Sequence, residues 1–137
     1  MNAVDTNVLL YRVDRYEPIK QAKAKALLRR LRTVPTVLLW QVAGEFLNQL
    51  RRWESTGRTT AQGVVRYFSA TRSILPLQLP TNAVLDLSLD LTSRFSLSHW
   101  DSMIVAACIE AGVTKLYTED MGSPTKFESL ELENPFL

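Results

Sequence analysis

Short apolar runs of strand length alternate along this chain with longer segments whose apolar residues recur at helical spacing. The strand candidates are residues 2–5, 36–39, 74–79, 115–118 and 130–132. Strands that are separated by helices are joined by crossover connections, which make the strands parallel and place helices on both faces of the sheet. The alternation therefore predicts an α/β fold, a three-layer α/β/α sandwich around a short five-stranded parallel sheet.

The helical segments lie between these strands. They are expected through residues 8–13, at 18–31, at 41–53, from Thr60 towards Ile74, at 80–95 and at 98–111. Pro18 suits the first turn of a helix, and Gly112 suits a helix end. Residues 80–95 are ambiguous, because the leucines at 85, 87, 89 and 91 alternate as they would in a strand. The length of this stretch and its start signals, Thr81 and Asn82, favour a helix.

Length and composition limit the class of protein. A chain of 137 residues, 46% hydrophobic and 22% charged, has the size and composition of one globular domain, so residues 1–137 are expected to form a single domain. No apolar stretch approaches the roughly 18 residues that cross a bilayer, and no basic segment precedes an apolar one at the N-terminus. With a single cysteine, Cys108, these features favour a soluble protein of the reducing cytoplasm, with no membrane association.

Charge is distributed unevenly along the chain. Residues 1–72 contain 13 lysines and arginines against 5 acids, whereas residues 73–137 contain 3 against 9. The basic half could bind a polyanion, although scattered solvated lysines and arginines would explain the same count equally well. The tryptophans at 40, 53 and 100 recur with helical periodicity and are expected to lie mostly in the core, with Trp53 the best candidate for exposure.

Acidic residues stand where strands end or where the next helix begins. Asp5 closes the first strand, Glu45 lies one turn after the second, Asp101 opens a helix, and Glu119 and Asp120 follow the fourth strand. The carboxyl ends of parallel strands share one edge of a sheet, so we expect these side chains to meet there. Clustered carboxylates need a counter-ion. Mg²⁺ or Mn²⁺, which prefers oxygen ligands, would provide one.

Each acid also has an ordinary structural interpretation. Asp5 could cap the first helix, Glu45 could belong to a solvated helix face, Ser98 to Asp101 fits a capping box, and Glu119 and Asp120 could be turn residues. The combination is therefore more informative than any one member. A zinc cluster or a histidine-based relay cannot be built, because the chain has one histidine and one cysteine.

Five stretches together carry a family resemblance. They are VDTNVLLY near the start, the E-F-x-x-N helix of Glu45, Phe46 and Asn48, the segment HWDSMIVAAC, LYTED, and the closing NPF. In this order and spacing, from residue 2 to residue 136, the chain resembles a PIN-domain ribonuclease, close to the VapC toxins of bacterial toxin–antitoxin pairs. His99 departs from the pattern, since relatives usually carry an aromatic residue there, and the segment after Asp120 departs as well.

The resemblance implies a PIN-like fold, a homodimer, an RNA substrate, an Mg²⁺ or Mn²⁺ site and a VapB-like antitoxin that holds the toxin inactive. Carried over by position, the metal-binding acids and the proposed catalytic residues are Asp5, Glu45, Asp101 and Asp120, with Glu119 as a rival for the last. Side chains expected to line the site without binding the metal are Thr6, Asn7, Asn48 and Thr118.

The chemistry implied is hydrolysis of phosphodiester bonds. Asp5, Asp101 and Asp120 would hold the metal, and Glu45 would bind it or act as base for the attacking water, leaving 3′-hydroxyl and 5′-phosphate ends. The basic side chains that could contact the RNA backbone are Arg12, Arg15, Lys20, Lys25, Arg51, Arg52 and Arg58.

Two other functions are compatible with parts of the pattern. A phosphatase of the haloacid-dehalogenase type also begins with a strand that ends in Asp, and it would use Asp5 as a nucleophile. The sequence pattern of that family requires a second aspartate at the position where this chain has Asn7. The other alternative is a non-catalytic PIN scaffold, from which at least one of the four acids would be expected to be missing.

Overall fold

A six-stranded sheet forms the centre of the protein in a computed structural model that describes residues 1–137. The strands are β1 (Asn2–Val4), β2 (Thr36–Leu39), β3 (Leu77–Gln78), β4 (Lys115–Tyr117), β5 (Lys126–Phe127) and β6 (Leu130–Glu133). Their order across the sheet is β3-β2-β1-β4-β6-β5. All neighbouring pairs are parallel except β5 with β6. The predicted α/β class is confirmed.

Six helices connect the strands. They are α1 (Thr6–Val13), α2 (Pro18–Leu31), α3 (Trp40–Ser55), α4 (Ala61–Ile74), α5 (Ala83–Phe95) and α6 (His99–Ala111). From β1 the chain moves outward to β2 and then β3, and it returns across the sheet to β4. Since crossovers between parallel strands are right-handed, α1 to α4 lie on one face and α5 and α6 on the other. No helix is both long enough and apolar enough to span a lipid bilayer.

The direction of strand order reverses beside β1. Strand β2 lies on one side of β1, whereas β4, which comes later in the chain, lies on the other. In open parallel sheets, ligand sites form at such a reversal, outside the carboxyl ends of the strands. The connections that leave β1 and β4 therefore define the place where a site is expected.

The sequence explains why these strands lie at the centre. All four residues of β2 are buried, as expected for a strand covered on both faces. In β6 buried leucines alternate with exposed glutamates, the pattern of a strand with one face in water. A single cluster of 29 buried hydrophobic residues fills the space between sheet and helices.

Two details differ from the sequence-based expectation, and two others agree with it. The sheet has six strands rather than five, because Lys126–Phe127 pairs antiparallel with β6. The expected strand at 74–79 is reduced to Leu77–Gln78, and Ile74 closes α4 instead. The helix interpretation of residues 80–95 is confirmed by α5. Gly112 ends α6 with a φ of +80°, a backbone conformation that favours glycine.

Candidate active site

Asp5 occupies the end of β1, at the reversal of strand order. Its backbone N–H donates to the carbonyl of Tyr117 at 2.8 Å, which holds the end of β1 against β4. Its side chain is buried and accepts two hydrogen bonds, from Thr6 N at 2.7 Å on Oδ1 and from the Thr118 hydroxyl at 2.8 Å on Oδ2. Asp5 is also the N-cap of α1. The capping interpretation and the site interpretation of this residue are therefore compatible.

Glu45 reaches the same region from α3. Its Oε2 accepts a hydrogen bond from the Thr6 hydroxyl at 3.0 Å, and its Oε1 accepts one from Gln41 Nε2 at 3.3 Å. Thr6 follows Asp5 directly, so the two carboxylates are linked through adjacent residues of the chain. Gln41 lies one helical turn before Glu45 on α3, and this contact was not predicted from the sequence.

Asp120 completes a hydrogen-bonded row after β4. Its Oδ2 accepts from Asn7 Nδ2 at 2.9 Å, and its backbone N–H donates to the Thr118 hydroxyl oxygen at 3.3 Å. Because Thr118 also donates to Asp5, the row joins Asn7, Asp120, Thr118 and Asp5. Thr6, Asn7 and Thr118 thus contact the acids as expected, whereas Asn48, a further turn along α3, makes no side-chain hydrogen bond to them.

Asp5 is the buried acid of this cluster, and Glu45 and Asp120 lie exposed beside it. Burial raises the pKa of Asp5, hydrogen bonds from Thr118 and Thr6 act to lower it, and the carboxylates of Glu45 and Asp120 raise it further. None of these three acids forms an ion pair with a lysine or arginine, and neither does Asp101. The charges of the cluster are therefore not compensated by the chain itself.

Glu119 points elsewhere. Its carboxylate forms an ion pair with Lys20, and Lys20 also donates to the Tyr11 hydroxyl at 3.1 Å. Burial acts to raise the pKa of Glu119, but the hydrogen bonds from Lys20 and Tyr11 outweigh it, so this pKa is lowered. The two neighbouring acids thus have different environments, with Glu119 neutralised by a lysine and Asp120 beside Asp5.

Asp101 lies in the first turn of α6, half-buried. Its backbone N–H donates to the Ser98 hydroxyl oxygen at 3.3 Å, which is the capping contact expected from the sequence. The start of α6 is tied to α3 by Gln41 Nε2, which donates to the Trp100 carbonyl at 3.3 Å. Asp101 is not among the carboxylates that act on Asp5. No three acidic, histidine or cysteine side chains in the protein converge closely enough to enclose a metal ion.

The chemistry of the donor set nevertheless suits a hard divalent cation, although three of these side chains do not converge on one point in this structure. Asp5, Glu45 and Asp120 supply only oxygen ligands, and the chain provides no competing positive charge. Beside Asp120, the buried Oδ1 of Asn7 has no hydrogen-bond partner. An acceptor of this kind is suited to a donor that arrives with the cation, such as a bound water, because buried polar atoms otherwise find partners within the protein.

A basic cavity lies between α1, α2 and α4. Its volume is about 510 Å³. The cationic side chains that line it are Arg12, Arg15, Lys25, Arg29, Arg32 and Arg66, and no acid is among the lining residues. None of these six forms an ion pair. Arg29, Arg32 and Arg66 thus lie in the same cavity as Arg12, Arg15 and Lys25, although they were not among the predicted RNA-contacting residues.

The other basic candidates lie outside this cavity. Lys20 and Arg58 are engaged with Glu119 and Asp14, and Arg51 and Arg52 are exposed on α3. The structure therefore does not bring the predicted RNA-contacting residues together as one surface. It places Arg12, Arg15 and Lys25 in the cavity and leaves the other four elsewhere.

The expectation for the tryptophans is wrong in two of three cases. Trp40 and Trp100 are 56% and 62% exposed, whereas Trp53 is half-buried under the Arg58 guanidinium, 4.1 Å from its ring centre. Trp40 is the first residue of α3, and Trp100 lies in the first turn of α6. Both helices begin at the edge of the sheet that carries the acids.

Cys108, the single cysteine, is buried in the core, and burial raises the pKa of its thiol.

A mostly parallel sheet with helices on both faces defines a class of α/β fold, and several solved structures share this fold. A VapC20 toxin of Mycobacterium tuberculosis, described as cleaving the sarcin–ricin loop, superposes with a TM-score of 0.62 at 19% identity over 88% of this chain and 90% of that one. A toxin–antitoxin complex from Klebsiella pneumoniae gives 0.66 at 16% over 98% of each chain.

A third structure, VapBC-1 from nontypeable Haemophilus influenzae, gives a TM-score of 0.69 at 13% identity, with 98% of this chain and 97% of that one covered. No curated protein matches the sequence. The family model of the PIN domain matches residues 3–122. The chain belongs to the PIN-domain family, and the resemblance seen in the sequence is confirmed.

Proposed function

We propose that this protein is a metal-dependent endoribonuclease, the toxin of a toxin–antitoxin pair. The observation that carries the proposal is the cluster of Asp5, Glu45 and Asp120, which lies at the reversal of strand order and has no lysine or arginine to neutralise it. Of these three acids Asp5 is buried, whereas Glu45 and Asp120 are exposed beside it. A folded protein rarely retains an uncompensated buried carboxylate such as Asp5 without a function for it. Membership of the PIN-domain family supports a nuclease.

Asp5, Asp120 and Glu45 are the residues that would hold Mg²⁺ or Mn²⁺, with Asp101 contributing from the first turn of α6. When bound, such an ion supplies charge neutralisation at the phosphate and a water of lowered pKa. The chain's own contribution is positional. Thr118 and the Thr6 backbone orient Asp5, Asn7 orients Asp120, and the Thr6 hydroxyl orients Glu45, the proposed base for the attacking water.

The RNA backbone would be held by basic side chains away from the acids. Arg12 and Arg15 line the cavity between α1, α2 and α4, and Arg51 and Arg52 are free of ion pairs on α3. Because phosphate contacts are largely independent of sequence, these residues would contribute affinity and little selectivity.

The proposed partners are an antitoxin of the VapB type and a second copy of the chain, and the proposed compartment is the cytoplasm. Structures similar to this one include toxin–antitoxin complexes, which supports an antitoxin partner here. In such a pair the antitoxin would hold the nuclease inactive until it is removed. No specific contact in the structure favours a phosphatase that uses Asp5 as nucleophile, or a non-catalytic scaffold.

The test is cleavage of a labelled RNA mixture by the wild type and by Asp5→Asn, each with Mn²⁺, with Mg²⁺ and with EDTA, beside a matched DNA. Asp86→Asn, which changes an exposed acid on α5, is the control for charge. We expect the wild type and Asp86→Asn to cut RNA only with metal, and Asp5→Asn to lose cutting. Equal cutting by all three proteins would contradict the proposal, and so would cutting in EDTA.

A further inference from the structure

An apolar pocket opens beside the acidic cluster, between the starts of α3 and α6. Its volume is about 280 Å³. The lining includes both exposed tryptophans, two glutamines, Leu79 and Met103. Trp40 and Trp100 contribute from the two helices and are both exposed. Their indoles do not pack on each other, and the Trp100 ring packs edge-on against His99, with ring centres 4.4 Å apart.

Gln41 connects this pocket to the acids. Its Nε2 donates both to Glu45 Oε1 and to the Trp100 carbonyl, at 3.3 Å in each case. Gln41 is itself a lining residue, and Trp100 immediately precedes Asp101. The pocket is therefore adjacent to the acidic cluster, and a molecule bound at the acids could extend one group into it.

The chemistry of the lining selects the kind of group. No charged side chain lines the pocket, and its only polar side chains are the amides of Gln41 and Gln78. This differs from the basic cavity, whose six cations suit phosphate. A neutral, flat heterocycle with hydrogen-bonding edges satisfies both features, because its faces stack on indoles and its edges pair with amides.

We propose that this pocket binds one nucleobase of the substrate RNA, next to the phosphodiester that is cut, by stacking on Trp40 and Trp100. The inference rests on the proposed nuclease function and names the group of the substrate that the site selects. The volume is just below the roughly 300 Å³ at which sites for drug-sized ligands begin, which suits one base. A stable interface with a second copy would need a face of about 800 Å² on each partner.

The first test measures base stacking without cleavage. Trp53→Phe in the Asp5→Asn background leaves Trp40 and Trp100 as the only tryptophans. This protein is titrated with a short single-stranded RNA and with the same ribose–phosphate chain lacking bases. We expect the RNA to quench tryptophan fluorescence and the abasic chain to leave it unchanged. Equal quenching by both chains, or none by either, would overturn the inference.

The second test measures cleavage. Trp40→Ala and Trp100→Ala are each expected to raise the KM for RNA by about 5- to 150-fold, the scale of one stacked base, with kcat little changed. Trp→Phe at the same positions should restore most of the affinity, since a phenyl ring also stacks. Leu89→Ala, at a 71% exposed position on α5 outside the pocket, is the control. An unchanged KM in both alanine variants would overturn the inference.

The two tests distinguish a failure of base binding in the pocket from a failure of the proposed nuclease function. Quenching by RNA in a protein that never cuts RNA would support the pocket and contradict the nuclease. Normal cutting of RNA by the Trp40→Ala, Trp100→Ala double variant would support the nuclease proposal and contradict base binding in the pocket. If gel filtration shows that the alanine variants convert a dimer into a monomer, and RNA does not quench the wild-type emission, the occupant is a second copy and the inference is wrong.

Discussion

The Thr118 hydroxyl donates a hydrogen bond of 2.8 Å to Asp5 Oδ2, joining residues 113 positions apart in the chain. The contact is possible because β1 and β4 are parallel neighbours and both residues follow their strands. It acts on the pKa of Asp5 in the direction opposite to burial. One buried hydroxyl therefore helps to keep the central carboxylate ionised, which is the form that binds a cation.

Replacing this hydroxyl should weaken the site while the fold persists. In Thr118→Val the side chain keeps its shape, but Asp5 loses a donor, and we expect affinity for Mn²⁺ to fall about 10- to 100-fold, the usual effect of removing a group that orients a metal ligand. Titration calorimetry measures it. Thr118→Ser, which retains the hydroxyl, should stay close to wild type. Equal affinity in all three proteins would contradict the assigned role.

Asp5 itself should limit stability when no metal is present. Burial raises its folded-state pKa above the ordinary 3.8, so its stabilising contribution is complete below the unfolded-state pKa and is lost as the pH rises through the folded-state pKa. Asp5→Asn keeps the helix cap and removes the charge. We expect a Tm about 2–4 °C above wild type at pH 7 in EDTA. This difference in Tm should vanish near pH 3, because the Asp5 carboxyl of the wild type is then protonated and uncharged. Thermal unfolding of both proteins over a range of pH measures it.

Glu119 and Asp120 should respond differently to removal of charge. Asp120→Asn is expected to abolish most RNA cutting, because Asp120 lies beside Asp5. Glu119→Gln should retain cutting and lose only the solvent-exposed ion pair with Lys20, so its unfolding curve should stay close to that of the wild type. Paired cleavage assays and urea unfolding curves separate the two effects. Loss of cutting in Glu119→Gln with full activity in Asp120→Asn would reverse the assignment.

The salt dependence of RNA binding tests whether the basic cavity contacts the RNA backbone. If Arg12 and Arg15 contact phosphates, Arg12→Gln and Arg15→Gln should each weaken RNA binding for all sequences and reduce the slope of log K against log salt concentration by about 1. Binding is measured in the Asp5→Asn background over a range of salt concentrations. Lys126→Gln, on the edge strand β5, is the control. An unchanged slope in both arginine variants would show that RNA does not lie in this cavity.

Most of the sheet could be predicted from the sequence, since β2 matches the expected residues and β1, β4 and β6 match within one residue. The exceptions are β3, which is shorter than expected, and β5, which pairs with β6 through a tight connection at Glu128, whose φ is +54°. Hairpin turns of this kind usually carry glycine or asparagine. The stretch around Glu128 has neither, so the sequence offered no signal for an additional strand.

The sequence predicted which side chains would lie at this edge of the sheet, but not the contacts between them. Strand ends indicated where Asp5 and Asp120 would lie, because parallel strands share an edge. The choice between Asp120 and Glu119 depends on side-chain direction after β4, and on Lys20, which is 99 positions from Glu119. The exposure of Trp100 depends likewise on how α6 begins. Periodicity alone places such residues on a helix and does not say what covers them.

The central claim is that a divalent cation compensates the unpaired acids, and Mn²⁺ titration tests it most directly. Wild type, Asp5→Asn, Asp120→Asn and the control Glu119→Gln are titrated with Mn²⁺ by calorimetry, each protein first freed of metal. The account predicts binding by wild type and Glu119→Gln and at least tenfold weaker binding by the other two. Absence of binding in wild type, or equal binding in all four proteins, would contradict it.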